Sequence, residues 1–145
     1  MGGALKGQAT VPTIKELGAT ILVVDDDDQV RSMLQRVLMQ AGFWVRTASN
    51  GRHALVALEQ EVPDLLLTDI IMPEKEGIEL ITTVRGKLPD LPIIAISGGG
   101  QVDPEQYLEL ARMLGANKVL GKPFDIQDLL GSCRGLLGIE EPAQL

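Results

Sequence analysis

Asp25 and Asp26 close the apolar run TILVV, Asp69 closes LLLT, Ser97 closes IIAI, and Lys122 follows KVLG. Acids, a hydroxyl and an amine thus sit at the ends of short apolar segments. If those segments are parallel strands of one sheet, their carboxyl ends form one edge, where the functional groups of such sheets collect. With the strand order 2-1-3-4-5, Asp25, Asp26 and Asp69 converge on one crevice at the switch point. Two unscreened carboxylates at ~4 Å repel by ~1 to 4 kcal/mol, so three together call for a cation. A hard divalent ion with oxygen ligands answers that need, and Mg²⁺ suits a site with few carboxylates, waters and a phosphate oxygen. Lys122 adds positive charge from the facing side. A carboxylate can act as nucleophile and become an aspartyl phosphate. The metal and the ammonium would neutralise the transferring group, and a serine hydroxyl would donate to one of its oxygens. The only cysteine, Cys133, falls in the middle of the last helical segment, away from these ends.

The elements that must position these groups are legible as alternating patterns. Thr20 to Val24 reads as a buried strand. Val30, Met33, Leu34, Val37 and Leu38 recur at the spacing of one helix face over Asp28 to Ala41, and Gly42 ends that helix. Phe43 to Thr47 is a second strand. Asn50 caps a helix to about Glu61, with Ala54, Leu55 and Leu58 inward. Leu65 to Thr68 is a third strand ending at Asp69, and a loop with Pro73 and Gly77 leads into a helix from about Gly77 to Leu88. Ile93 to Ile96 is a fourth strand, followed by Gly98, Gly99 and Gly100. Pro104 opens a helix to Leu114. Lys118 to Leu120 is a fifth strand, and Asp125 caps a helix through about Leu137. Five strands alternating with five helices give an α/β, doubly wound, five-stranded parallel sheet. Residues 1–19 read as an extension or linker in which Val11 to Leu17 could make one helical turn, 20–138 as the domain, and 139–145 as a tail.

Composition narrows the function classes. The chain has 145 residues, 45% of them hydrophobic, which is one ordinary domain. A net charge of -7 disfavours a phosphate backbone as partner, and 3% aromatics disfavours a base-stacking platform. One cysteine and one histidine, His53, exclude an intramolecular disulfide and a cysteine/histidine zinc site. The start has no signal-peptide pattern, and Lys6 stands where a myristoylation signal needs Ser or Thr. No run of ~18 apolar residues is present. The expectation is a cytoplasmic chain with no membrane and no nucleic-acid partner.

Taken in order, ILVVDDDDQVRSML, DLLLTDIIMPEKEG, PIIAISGGG and KVLGKPF resemble the receiver domain of bacterial two-component response regulators, a flavodoxin-like fold. The resemblance covers about Thr20 to Leu137. It implies that Asp69 is the phosphoacceptor. It also implies that Asp25 and Asp26 hold Mg²⁺, with Asp26 the more direct ligand and the backbone carbonyl of Ile71 completing the set. Ser97 matches the switch hydroxyl, Lys122 the lysine that pairs with the phosphorylated aspartate, and Pro123 a cis-proline. Where the family commonly has Tyr or Phe, this chain has Val119. An aromatic switch is therefore not expected, and the loop from Gly98 to Gly100 is expected to carry much of the rearrangement. The partners implied are a sensor histidine kinase or phosphotransfer protein, and a downstream protein at the fourth helix, fifth strand and fifth helix. With seven residues after Gly138, no output domain is expected on this chain, and the part is signalling rather than enzymatic.

Two other readings use the same residues. A Mg²⁺-dependent phosphohydrolase also works through an aspartyl phosphate, and Asp25-Asp26-Asp27 offers its D-x-D, although Asp28-Gln29 departs from the continuation. A receiver-like binding module would never be phosphorylated. Flavin binding fits less well, because acids follow the first strand where a phosphate needs hydroxyls and glycines.

Overall fold

The computed structural model describes residues 18–70, 76–98 and 104–139. The elements run β1 (Thr20–Val24), α1 (Asp28–Gln40), β2 (Trp44–Ala48), α2 (Gly51–Gln60), β3 (Leu65–Asp69), α3 (Glu76–Lys87), β4 (Ile93–Ser97), α4 (Pro104–Leu114), β5 (Lys118–Gly121) and α5 (Ile126–Leu137). All four strand pairings are parallel, in the order β2-β1-β3-β4-β5. The expected turn at Val11 to Leu17 and the tail after residue 139 lie outside the described residues.

The central strands are apolar on both sides because the sheet is covered on both faces. Ile21, Val23, Leu65, Leu67, Ile94 and Ile96 pack with Leu34 and Leu38 of α1 and with Leu129, Leu130, Cys133 and Leu137 of α5. Their neighbours Leu22, Val24, Leu66, Ile93 and Ala95 face the other way, onto Ala54 and Leu58 of α2 and Leu80, Ile81 and Val84 of α3. Burying one such side chain contributes about 1.5–3 kcal/mol. This two-sided core fixes the register that brings the strand ends into line.

Boundaries shift where hydrogen bonds favour it. Phe43 stays out of β2, since its N–H still donates to Leu38 O at the end of α1, and β2 runs on to Ala48. Gly42, at φ +103°, makes the turn between them. β3, β4 and β5 each run one residue past the apolar run, so Asp69, Ser97 and Gly121 are the last residues of their strands. At the opposite end of the sheet, Arg85 donates to Leu88 O, Pro89 O, Gly115 O and Asn117 Oδ1, and Asn117 Oδ1 also accepts from Ile93 N. The end of α3 is thereby tied to the turn before β5.

Helix starts beside the site are capped by short acids and amides. Asp27 Oδ1 accepts from Gln29 N at 2.9 Å and Val30 N at 3.2 Å, and Asn50 Oδ1 from His53 N at 2.8 Å. Asp125 Oδ1 accepts from Gln127 N at 2.6 Å. Asp27→Ala should lower unfolding stability by about 1 kcal/mol, whereas Asp27→Asn, an equal cap, leaves it nearly unchanged. Urea denaturation checks the pair; equal losses would contradict the capping role.

Candidate functional site

β1 and β3 are neighbours with Val24 opposite Thr68, so the residues that follow, Asp25 and Asp69, emerge side by side. Asp25 and Asp69 are buried and Asp26 is exposed, and one carboxylate oxygen from each lies within 4.8 Å of the others. Lys122 enters from the far side of β4. Its N–H donates to Ser97 O at 2.9 Å, and its Nζ stands 3.1 Å from Asp69 Oδ2 and 3.6 Å from Asp25 Oδ2. The Lys122–Pro123 peptide is cis.

Asp25 is only 1% exposed. Its N–H donates to Ala48 O at 3.2 Å, its Oδ1 accepts from Asp27 N at 2.9 Å, and its carbonyl accepts from Arg31 Nη1 at 2.8 Å. Its Oδ2 is buried without a hydrogen-bond partner. Burial pushes the Asp25 carboxyl above its usual range; the Asp27 amide and the Lys122 charge pull it down, and Asp69 and Asp26 push it up. Burial alone would lower the Lys122 ammonium, but the hydrogen bond and charge of Asp69, with the charge of Asp25, raise it. The amine therefore stays charged. An orphaned buried oxygen beside two further carboxylates, in an all-oxygen donor set, fits a hard divalent cation.

Ser97 is buried, and its Oγ donates to Gly98 O at 3.4 Å. Val119 of β5 is half-buried and packs on the α2–α4 side of the sheet. Ile71, Gly99 and Gly100 lie outside the described residues. Cys133 is buried in α5, and burial pushes its thiol up to about 12, so it offers no nucleophile. His53 is exposed on α2, with Nδ1 3.3 Å from Ser49 Oγ.

A sequence profile for the response regulator receiver domain matches residues 21–134. The chain belongs to the response regulator receiver domain family. It is 37% identical over 126 residues to Response regulator MprA of Mycobacterium tuberculosis, covering 87% of this chain and 54% of MprA. It is 38% identical over 108 residues to the DNA-binding transcriptional regulator NtrC of Salmonella typhimurium, covering 74% of this chain and 22% of NtrC. The chain thus spans about half the length of MprA and a smaller share of NtrC. Among solved structures, the NtrX receiver domain of Brucella abortus superposes with a TM-score of 0.73 at 30% identity, over 83% of this chain and 99% of that one. Chemotaxis protein CheY4 of Vibrio cholerae does so with a TM-score of 0.73 at 31% identity, over 82% and 98%.

The family places this receiver domain in two-component signalling. Gly77, the second residue of α3, lies directly against the end of β3: a Cβ there would clash with Asp69 O and stand 2.5 Å from Ile70 Cα. Only backbone lies in the way, so no side chain can yield. In the sequence Gly77 reads as a helix start, because a close approach between separated segments leaves no mark on local pattern.

Two outcomes follow for stability. Gly77→Ala should destabilise the receiver domain by about 1–3 kcal/mol and displace the Asp69 backbone, read by urea denaturation and by amide shifts at Asp69. Normal stability would contradict the close packing. Asp25→Asn should raise the Tm of the metal-free protein by roughly 4 °C, near 1 kcal/mol of relieved burial and repulsion. The sign follows from the raised carboxyl. The folded state holds its proton more tightly than the unfolded chain, so charged Asp25 opposes folding. The advantage of Asp25→Asn is therefore full above the raised value and fades as pH falls toward the ordinary 3.8. A pH series of melting curves for both proteins tests this; a gap that widens with acid would refute it.

Proposed function

We propose that Asp69 is the phosphoacceptor of this receiver domain and that Asp25, Asp26, Asp69 and the Ile71 carbonyl form a Mg²⁺ site beside it. The observation that carries the reading is the Lys122 ammonium 3.1 Å from Asp69 Oδ2, within a cluster of three carboxylates. An Asp69 carboxylate oxygen attacks the phosphorus of a phosphohistidine on a sensor kinase or phosphotransfer protein. The O–P bond forms as the P–N bond breaks, and the imidazole, already carrying a proton on its other ring nitrogen, leaves with the bonding pair as the neutral ring. When bound, Mg²⁺ supplies charge neutralisation for the phosphoryl oxygens. Lys122 orients Asp69 before transfer and pairs with its phosphorylated form afterwards. The Ser97 hydroxyl, now donating weakly to Gly98 O, is free to turn toward a phosphoryl oxygen.

On this reading the module signals in the cytoplasm and turns over nothing but its own aspartyl phosphate. Ser97, Gly98 and Val119 link the site to a protein-binding face formed by α4, β5 and α5, with Pro123 setting the course of the chain after Lys122. Leu108 and Met113 are exposed apolar side chains of α4, which supports a protein partner at that helix. Val119 is too small to act as a rotating aromatic, so the Gly98 loop carries more of the change.

Incubation with acetyl phosphate and Mg²⁺ tests the proposal by intact mass. The wild type should gain one phosphoryl group, Asp69→Asn none, and Asp27→Asn should retain uptake. Uptake by Asp69→Asn, or none by the wild type, would overturn the assignment. Turnover of a small phosphate ester by Asp69→Asn would favour the hydrolase reading.

A further inference from the structure

Arg31 lies one turn into α1, and only 19% of its side chain is exposed. Its Nη1 donates to the carbonyl of Asp25 at 2.8 Å, and its Nη2 pairs with the Asp28 carboxylate. The guanidinium fork therefore bridges the two ends of the tetrad Asp25–Asp28. Inside that bridge sits Asp26, whose side chain is exposed. The Asp25 carbonyl belongs to the peptide unit that joins Asp25 to Asp26. Holding that carbonyl fixes the plane of the peptide, and the plane sets the direction in which Asp26 leaves the backbone. Asp25 itself is anchored independently, by Ala48 O on its N–H and by Asp27 N on its Oδ1.

We propose that Arg31 is a positioning residue that aims Asp26 into the cation site. The inference rests on the reading of that site given above. Arg31 touches no reacting atom; it acts through the Asp25–Asp26 peptide. A planar fork can serve both acceptors at once, whereas a lysine ammonium is a single point of charge.

Arg31→Lys in the full chain tests this. Mg²⁺ Kd by calorimetry should rise about tenfold, as for other residues that orient ligands from behind. In the metal-free protein, the NMR amide shift of Asp26, which shares the peptide unit that Arg31 holds, should move. Phosphorylation should slow at limiting Mg²⁺ and recover at saturating Mg²⁺. A Kd within about twofold of wild type would overturn the proposal, as would a deficit that saturating Mg²⁺ leaves in place. The pair Asp28→Asn with Arg31→Gln keeps the net charge and carries no unpaired guanidinium, so it covers the case in which Arg31→Lys folds poorly. Its Mg²⁺ affinity should remain weak; return to wild-type affinity would show that only charge balance mattered and would also overturn the proposal. A wild type that binds Mg²⁺ and takes up phosphoryl while Arg31→Lys matches it defeats this inference alone. A wild type that binds no Mg²⁺ defeats the site reading and this inference together.

Discussion

Like charges brought within 4.8 Å of one another push apart, and the rest of the molecule is arranged to withstand that push. The force is borne by two apolar layers. Strand residues alternate between a core shared with α1 and α5 and a core shared with α2 and α3, so no strand can slide without exposing both faces. Repulsion at the carboxyl edge is set against burial along the whole sheet, and burial is much the larger quantity. Lys122 offsets part of the remainder from the other side of β4.

The site keeps one oxygen in reserve. Every other polar atom of Asp25 has a hydrogen-bond partner, whereas Oδ2 has only the Lys122 ammonium at 3.6 Å. A buried acceptor left in this state is costly unless a ligand completes it. A cation bound among these carboxylates would turn a mutually repelling cluster into a satisfied one. Gly77 serves the same end differently, by letting α3 begin against the Asp69 carbonyl.

Structural and functional constraints separate along the sheet axis. At the amino end, Arg85 and Asn117 join the end of α3, the start of β4 and the turn before β5 through hydrogen bonds. At the carboxyl end, β3 and β4 close on Asp69 and Ser97.

Local pattern determined a great deal here. Apolar runs and helical spacings gave five strands and five helices, Asn50 and Asp125 announced their helices, and the acids, Ser97 and Lys122 stood out by their place at strand ends. These signals are readable because periodicity and capping depend on residues only a few positions apart. Tertiary structure decided what depends on distance: that Lys122 Nζ reaches Asp69, that Asp25 is buried with one oxygen unpartnered, and that Arg31 turns back onto the β1–α1 turn instead of lying on the surface. It also decided that Gly77 has no room for a side chain. Such facts arise where segments far apart in the chain pack together, and no local spacing encodes the few tenths of an ångström that separate contact from clash.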